Sequence, residues 1–310
     1  MTNQPLTLFL CGDWPAEEQA IWLAALQAAL PEGRWLTELS PADAAEVRVA
    51  VVANPPPGRL KGLPRLGLIQ SLWAGVDRLL ADPTVPNEVP LLRMVDPAMN
   101  TAMAETALWA VLSLHRGFFR LAAQQRAGLW QGVVQRRADE LSIAVLGQGQ
   151  MGRAVTARLL SQGYQVCGWQ RGADAERARG ELHALLAHHE IIINLLPLTP
   201  STRGLLDRAA FAAMPRGASL VNLARGAHVV EADLLQALDA GHLAHAVLDV
   251  FATEPLPAEH PFWRHPQVTV LPHVAAQTDP RSAAAVVAAQ VRGWRRGEPL
   301  AHPVDRLRGY

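Results

Sequence analysis

Short, continuous apolar runs alternate with helix-like or polar segments along most of this chain. In the first hundred residues Leu6–Cys11, Val47–Val52, Leu66–Gln70 and Val89–Val95 read as strands. Glu17–Leu30 reads as an amphipathic helix ended by Pro31 and Gly33. Asn54-Pro-Pro-Pro-Gly58 is a loop, because consecutive prolines cannot continue a helix. Met99 to Arg126 is alanine-rich and nearly free of Gly and Pro, which predicts one long helix bridging two domains. After a polar connection over 128–139, a second series of runs begins. It comprises Leu141–Gly147, Gln165–Trp169, Glu190–Leu196, Ala218–Leu223, Ala244–Val250 and Val268–Leu271. Asp279–Arg296 predicts a closing helix that can return the chain to its first domain. The alternation of strands with helices places the chain in the α/β class.

Three of the later runs are each followed closely by a polar residue: Arg225 after Ala218–Leu223, Glu254 after Ala244–Val250, and His273 after Val268–Leu271. If the runs are parallel strands, the three side chains converge on one carboxyl edge, where open α/β sheets bind ligands. An Arg can grip a carboxylate with two parallel bonds. A Glu beside a His favours the charged imidazole. Such a set can protonate a substrate oxygen while holding an acid group.

The run Leu141–Gly147 leads into Gly147-Gln-Gly149-Gln-Met-Gly152 and then a helical stretch, Arg153–Leu160. Gly147 permits the tight turn, Gly149 lets a pyrophosphate approach the backbone, and Gly152 lets helix and strand pack closely. The helix N-terminus then faces the phosphates. Three spaced glycines alone say little. Strand, glycines, helix and a further strand in that order point to a dinucleotide rather than a glycine-rich turn.

A length of 310 residues suggests about two domains. The formal net charge of zero gives no electrostatic case for nucleic acid or an acidic membrane. Cys11 and Cys167 sit in apolar strand-like contexts and are expected to be buried free thiols, not a disulfide framework. No apolar run approaches a membrane span, and the N-terminal residues read as a first strand without a basic leader. A cytoplasmic protein is expected.

These motifs resemble the D-isomer-specific 2-hydroxyacid dehydrogenase family, over nearly the whole chain. The carrying stretches are Ser71-Leu-Trp-Ala-Gly-Val-Asp77, Val145–Gly152, Leu195-Leu-Pro-Leu-Thr-Pro-Ser-Thr202, Val221-Asn-Leu-Ala-Arg-Gly226, Leu248–Leu256 and Leu271-Pro-His273. Trp169-Gln-Arg171 and Met99…Met103-Ala-Glu105 make it most similar to the A-type glyoxylate/hydroxypyruvate reductases. The resemblance implies two doubly wound parallel-sheet domains with a cleft between: a Rossmann-type cofactor domain over 98–279 and a discontinuous flavodoxin-like substrate domain over 1–97 and 280–310. It implies that His273 is the general acid in reduction, Glu254 its pairing carboxylate, and Arg225 the residue that holds the substrate carboxylate. Backbone N–H groups around Ala74, Gly75 and Val76 would take the other carboxylate oxygens, with Trp73 beside them. Gln150, Met151, Leu196, Pro197, Thr202 and Ala224 would line the cofactor, and Asp249 would touch its nicotinamide carboxamide. A homodimer is implied, and no metal. Many NAD-linked members carry an Asp where this chain has Arg171, beside Gln170. That departure favours NADP(H) over NAD.

Each residue also has a plainer reading. Arg225 could be a surface ion-pair partner, Glu254 a solvated loop acid, and Asp249 a polar strand end. Arg171 could pair with Asp174. Trp73 and Trp130 are core or interface aromatics as readily as pocket walls. Among the eleven histidines, His242 and His245 lack a third ligand for zinc, and His228 has no argued role. The expected activity is NADPH-dependent reduction of glyoxylate or hydroxypyruvate. The alternatives are a reductase for larger 2-oxoacids such as phenylpyruvate, or a non-catalytic NAD(P)H-sensing protein.

Overall fold

In the computed structural model of the protein, residues 6–172 and 175–310 are described. The chain divides into two compact units, one formed by residues 1–98 and 278–310, the other by 99–277.

The first unit is built on β1 (Leu6–Gly12), α1 (Ala16–Ala29), β2 (Gly33–Leu36), α2 (Pro41–Ala44), β3 (Val49–Ala53), β4 (Leu68–Ser71), α3 (Asp77–Ala81) and β5 (Leu91–Leu92). The strands are parallel in the order β2-β1-β3-β4-β5, the flavodoxin-like doubly wound order. All five residues of β3 are buried, as expected of a parallel strand covered on both faces. The closing helix, Pro280–Arg295, packs on α1. There Arg292 pairs with Glu32 at 2.8 Å and Arg48 lies over Trp294.

Two strands of this unit differ from the sequence expectation. β2 was not anticipated, because Gly-Arg-Trp-Leu is a short, half-exposed edge segment with no apolar run. β5 has two residues instead of the expected Val89–Val95. Pro90 lacks a ladder donor, and the Leu91 carbonyl is taken by the Val304 N–H at 2.8 Å, beside an antiparallel bridge from Leu92 to Pro303.

The second unit holds α4 from Met99 onward (Pro97–His115), α5 (Phe118–Arg126), β6 (Ser142–Leu146), α6 (Gln150–Ser161), β7 (Gln165–Trp169), α7 (Ala175–Leu186), β8 (Ile191–Asn194), α8 (Arg208–Ala213), β9 (Ala218–Asn222), α9 (Glu231–Asp239), β10 (Leu243–Leu248) and β11 (Val268–Val270). Its parallel sheet runs β7-β6-β8-β9-β10-β11. The strand order reverses between β6 and β8, so the crevice beyond their carboxyl ends is the place where such sheets take ligands.

The expected single helix over Met99–Arg126 is two helices. Gly117 stands between them at φ +71°, in the left-handed region that glycine enters freely. Cys167 also departs from expectation: it is exposed, while Cys11 is buried with its thiol pushed up to about 12 by desolvation. β7 is the edge strand, and three of its five residues are exposed. Among the described residues no helix is long and apolar enough to cross a membrane.

Candidate active site

β6 leads into Gly147, whose φ of +95° makes the turn toward α6. A Cβ on Gly152 would lie 1.8 Å from the Gly147 carbonyl oxygen, so only glycine lets the helix start so close to the strand. A Cβ on Gly149 would meet nothing within 4 Å. Gly149 is the N-cap of the 12-residue α6, and no side chain caps it. The turn therefore presents helix N–H groups toward open space, an arrangement suited to an anionic diphosphate. Gln150 and Met151 open the helix and are half-buried. Gln148, which the sequence did not single out, lies against Gly168, where a Cβ would come within 2.5 Å of its Cδ.

At the end of β7, Trp169 is buried, Gln170 exposed and Arg171 half-buried. Arg171 makes no ion pair among the described residues, and Asp174, its possible surface partner, lies outside them. In the loop after β8, Leu196 and Thr202 are buried. The Thr202 hydroxyl donates to the Pro197 carbonyl at 2.8 Å and accepts the Thr199 N–H at 2.8 Å. Thr202 thus shapes the loop from within.

Ala224 is buried at the end of β9, and Arg225 follows with its Nη1 donating to the Ala224 carbonyl at 2.8 Å. A Cβ on the next residue, Gly226, would lie 1.8 Å from the Phe251 carbonyl carbon. The turn after β9 and the loop after β10 are therefore in backbone contact. That loop carries Glu254. Its Oε1 accepts the Phe251 N–H at 2.9 Å, and its Oε2 lies 2.8 Å from His273 Nδ1. With Nδ1–H donating to the carboxylate, Nε2 is the ring atom left to hold a transferable proton. The His273 side chain is 51% exposed and can meet a substrate. Burial raises the Glu254 pKa, but the hydrogen bond from His273, the Phe251 N–H and the charges of His273 and Arg225 outweigh it, so the carboxyl sits below its ordinary value.

His273 itself has φ +56°, a conformation unusual for any residue but glycine. Asp249 holds it there. The Asp249 carbonyl accepts the His273 N–H at 2.9 Å, and its two carboxylate oxygens accept the N–H groups of Val274 at 2.7 Å and Ala275 at 3.0 Å. Asp249 was expected to reach the cofactor, but it is 1% exposed, and its geometry makes it the anchor of the His273 loop. Desolvation raises its pKa despite those two N–H groups.

The sequence also missed His228, fully buried beneath the Arg225 turn, together with Asn194 and Asn222. The available signal was a repeated pattern: Ile-Ile-Ile-Asn194 and Ser-Leu-Val-Asn222 each end a strand, and the two asparagines pair in register. His242 and His245 are bonded to the Phe211 and Met214 carbonyls and to the Thr269 hydroxyl, respectively. Trp73 to Val76 belong to the first unit, after β4. Trp73 is half-buried and packs edge-on against Trp22 at 5.9 Å and Trp14 at 6.5 Å. Trp130 stands fully exposed, which removes it as a pocket wall of its own unit.

Residues 108–275 match the model of the D-isomer specific 2-hydroxyacid dehydrogenase NAD binding domain. The chain belongs to the D-isomer-specific 2-hydroxyacid dehydrogenase family. It is 41% identical to glyoxylate/hydroxypyruvate reductase A of Serratia proteamaculans over 93% of this chain and 96% of that one. A solved family member from Xanthobacter autotrophicus, in complex with NADPH and MES, superposes with a TM-score of 0.90 at 38% identity, covering 99% of each chain. The NADPH-dependent glyoxylate/hydroxypyruvate reductase of Sinorhizobium meliloti, in complex with NADP and sulfate, gives 0.89 at 33% identity, over 98% of this chain and 100% of that one.

In this family member, Asp249→Asn keeps one acceptor oxygen but turns an NH2 toward the second loop N–H. An unsatisfied buried donor costs about 1–3 kcal/mol. Urea unfolding is expected to show a loss of that order, with turnover falling more than NADPH affinity. Unchanged stability would remove Asp249 as the anchor.

Proposed function

We propose that the protein is an NADPH-dependent reductase of small 2-oxoacids, with glyoxylate and hydroxypyruvate as substrates. The observation that carries this is the 2.8 Å pair of His273 and Glu254, within the influence of Arg225 and on the sheet edge that also holds the glycine turn. The relatives named glyoxylate/hydroxypyruvate reductase A supply the substrate class. Solved relatives holding NADPH or NADP supply the cofactor.

The residues fit that cofactor. Gly147, Gly149, Gln150, Met151 and Gly152 would hold its diphosphate, Gln170 and Arg171 its 2′-phosphate, and Leu196, Pro197 and Ala224 its nicotinamide side. When bound, the nicotinamide supplies a hydride to the substrate's carbonyl carbon. Arg225 grips the substrate carboxylate through its planar fork. His273 donates the proton on Nε2 to the carbonyl oxygen, and Glu254 stabilises the imidazolium until it does.

The direct test is NADPH and NADH oxidation with glyoxylate, hydroxypyruvate, pyruvate and phenylpyruvate. Turnover of phenylpyruvate alone would reject the small-substrate reading.

His273→Ala removes the proton donor, and a loss of roughly 10²- to 10⁴-fold in turnover is expected with NADPH binding kept. Glu254→Gln removes the carboxylate that accepts from Nδ1 and aims the ring. Turnover with glyoxylate is expected to fall roughly tenfold or more with NADPH binding kept. Unchanged turnover would count against the pair.

Arg171 stands where an acid would bond the ribose hydroxyls in an NAD enzyme. Charge-assisted bonds to a 2′-phosphate are worth roughly 1.5–3 kcal/mol. NADPH is therefore expected to be preferred over NADH about ten- to a hundredfold in kcat/KM, with Arg171→Asp reversing the order. Equal use of both cofactors by the wild type would mean that Arg171 reads no phosphate.

A homodimer is part of the same reading. Leu129, Trp130 and Val134 are exposed on the segment after α5, and α4 and α5 form an apolar depression lined by Leu108, Trp109, Leu112, Phe118 and Phe119. Exposed apolar surface of this kind suits a partner. Light scattering at micromolar concentration is expected to give the mass of two chains; the mass of one would reject the dimer.

A further inference from the structure

The carboxyl ends of β8 and β9 carry a buried polar cluster to which the proposed chemistry gives no role. Asn194, Asn222 and His228 are each fully buried. Asn194 Nδ2 has two hydrogens and two acceptors: Asn222 Oδ1 at 2.9 Å and His228 Nδ1 at 3.0 Å. A ring nitrogen that accepts carries no proton, so the proton of the neutral ring sits on Nε2. Nε2 lies 3.2 Å from the Pro197 carbonyl, an acceptor only. Donors and acceptors therefore match with a single tautomer.

The cluster has two outlets. Toward the loop after β8, Asn194 Oδ1 accepts the Leu196 N–H at 3.2 Å, and His228 holds Pro197. Toward the turn after β9, Asn222 Nδ2 donates to the Arg225 carbonyl at 3.1 Å and its Oδ1 accepts the Ala224 N–H at 3.3 Å. The backbone is stitched along the same seam: Gly204 N–H donates to the Ala227 carbonyl at 2.8 Å and Leu206 N–H to the His228 carbonyl at 2.9 Å. A leucine at 228 could fill the space, but it would leave one Asn194 amide hydrogen without an acceptor in a buried setting and would leave the Pro197 carbonyl tied only within its own loop, by the Thr202 hydroxyl.

We propose that His228 is a positioning residue that locks the 195–202 loop to the Arg225 turn, so that the cofactor wall and the substrate-gripping arginine are set together. This rests on the reading of Arg225 and of that loop given under the proposed function. His228 takes no part in proton transfer: its ring is fully buried and its Nε2 hydrogen is engaged by a carbonyl. Its effect reaches ligands only through the two loops. Losing it must therefore weaken both ligands together.

The test compares wild type, His228→Leu and His228→Gln in the full chain. NADPH affinity is read by fluorescence titration without substrate, and glyoxylate kinetics at saturating NADPH. In the Leu variant the NADPH Kd and the glyoxylate KM are both expected to rise, each roughly tenfold, while kcat falls less than KM rises. Gln offers an acceptor and a donor on one amide, and is expected to recover part of both losses. A Leu variant with a lower melting temperature but unchanged Kd and KM would reduce His228 to core packing and overturn the proposal. A change in only one of the two constants would also overturn it, because the lock would not couple the loops.

If neither variant folds, imidazole nitrogen NMR of the wild type decides. A neutral ring protonated on Nε2, with signals that shift on adding NADPH, is expected. A ring protonated on Nδ1, or one that ignores NADPH, would overturn the lock. Should the wild type bind NADPH but reduce no 2-oxoacid, the proposed function fails, and the titration and NMR still judge the cofactor side of the lock. Should the wild type turn over and the variants match it, only the lock fails.

Discussion

The candidate site depends on one backbone contact, that of Gly226 with Phe251. A Cβ at 226 would lie 1.8 Å from the Phe251 carbonyl carbon and 2.2 Å from its oxygen, well inside any tolerable separation. With glycine there, the turn that carries Arg225 rests on the loop that carries Glu254. Any larger residue must push the two loops apart, and close-packed interiors turn such pressure into displacement rather than absorb it. The same device appears at Gly152, whose missing side chain lets α6 begin against the Gly147 carbonyl. One glycine thus sets the distance between a cation and a carboxylate, and the other sets the distance between a strand and the helix end that faces the open turn.

Much of this was legible in the sequence, for identifiable reasons. Sheet strands such as Val49–Ala53 and Ile191–Asn194 are wholly buried, so they appear as unbroken apolar runs, and the polar residues after them fall on the carboxyl edge. Arg225, Glu254 and His273 could be named because each follows such a run. What escaped was structure that leaves no apolar signature. β2 is a half-exposed edge strand, and β5 was cut short by a proline and a competing partner from the C-terminal segment. The break at Gly117 is one residue in a stretch whose composition favours helix throughout. His228 escaped because its meaning lies in Asn194 and Asn222, brought beside it only by the register of β8 against β9.

Asp249 and Glu254 show how two nearby carboxylates can be given different tasks by their surroundings. Asp249 is buried and raised in pKa, and the negative charge of Glu254 pushes the same way. Glu254 is about one-third exposed in its side chain and is lowered, because hydrogen bonds and cationic neighbours exceed its desolvation. Environment, not residue type, separates the pair. The buried acid is committed to backbone N–H groups and holds the loop. The more accessible one faces the imidazole and is the one able to stabilise a charge that comes and goes.

The two tasks meet at His273. Its backbone adopts φ +56°, a conformation that costs a non-glycine residue about 1–3 kcal/mol and persists only where the surroundings over-determine it. Here they do: one N–H of His273 and the next two along the chain are all held by Asp249. A relaxed backbone at 273 would swing the imidazole away from Glu254 and lose the 2.8 Å bond. The strain of the corner and the bond to Glu254 therefore support each other: the anchored corner aims the ring, and the aimed ring leaves Nε2 facing outward. In the reaction proposed above, a donor so aimed and half-exposed would need no reorganisation when a substrate oxygen arrives, the condition under which a single general acid is most effective.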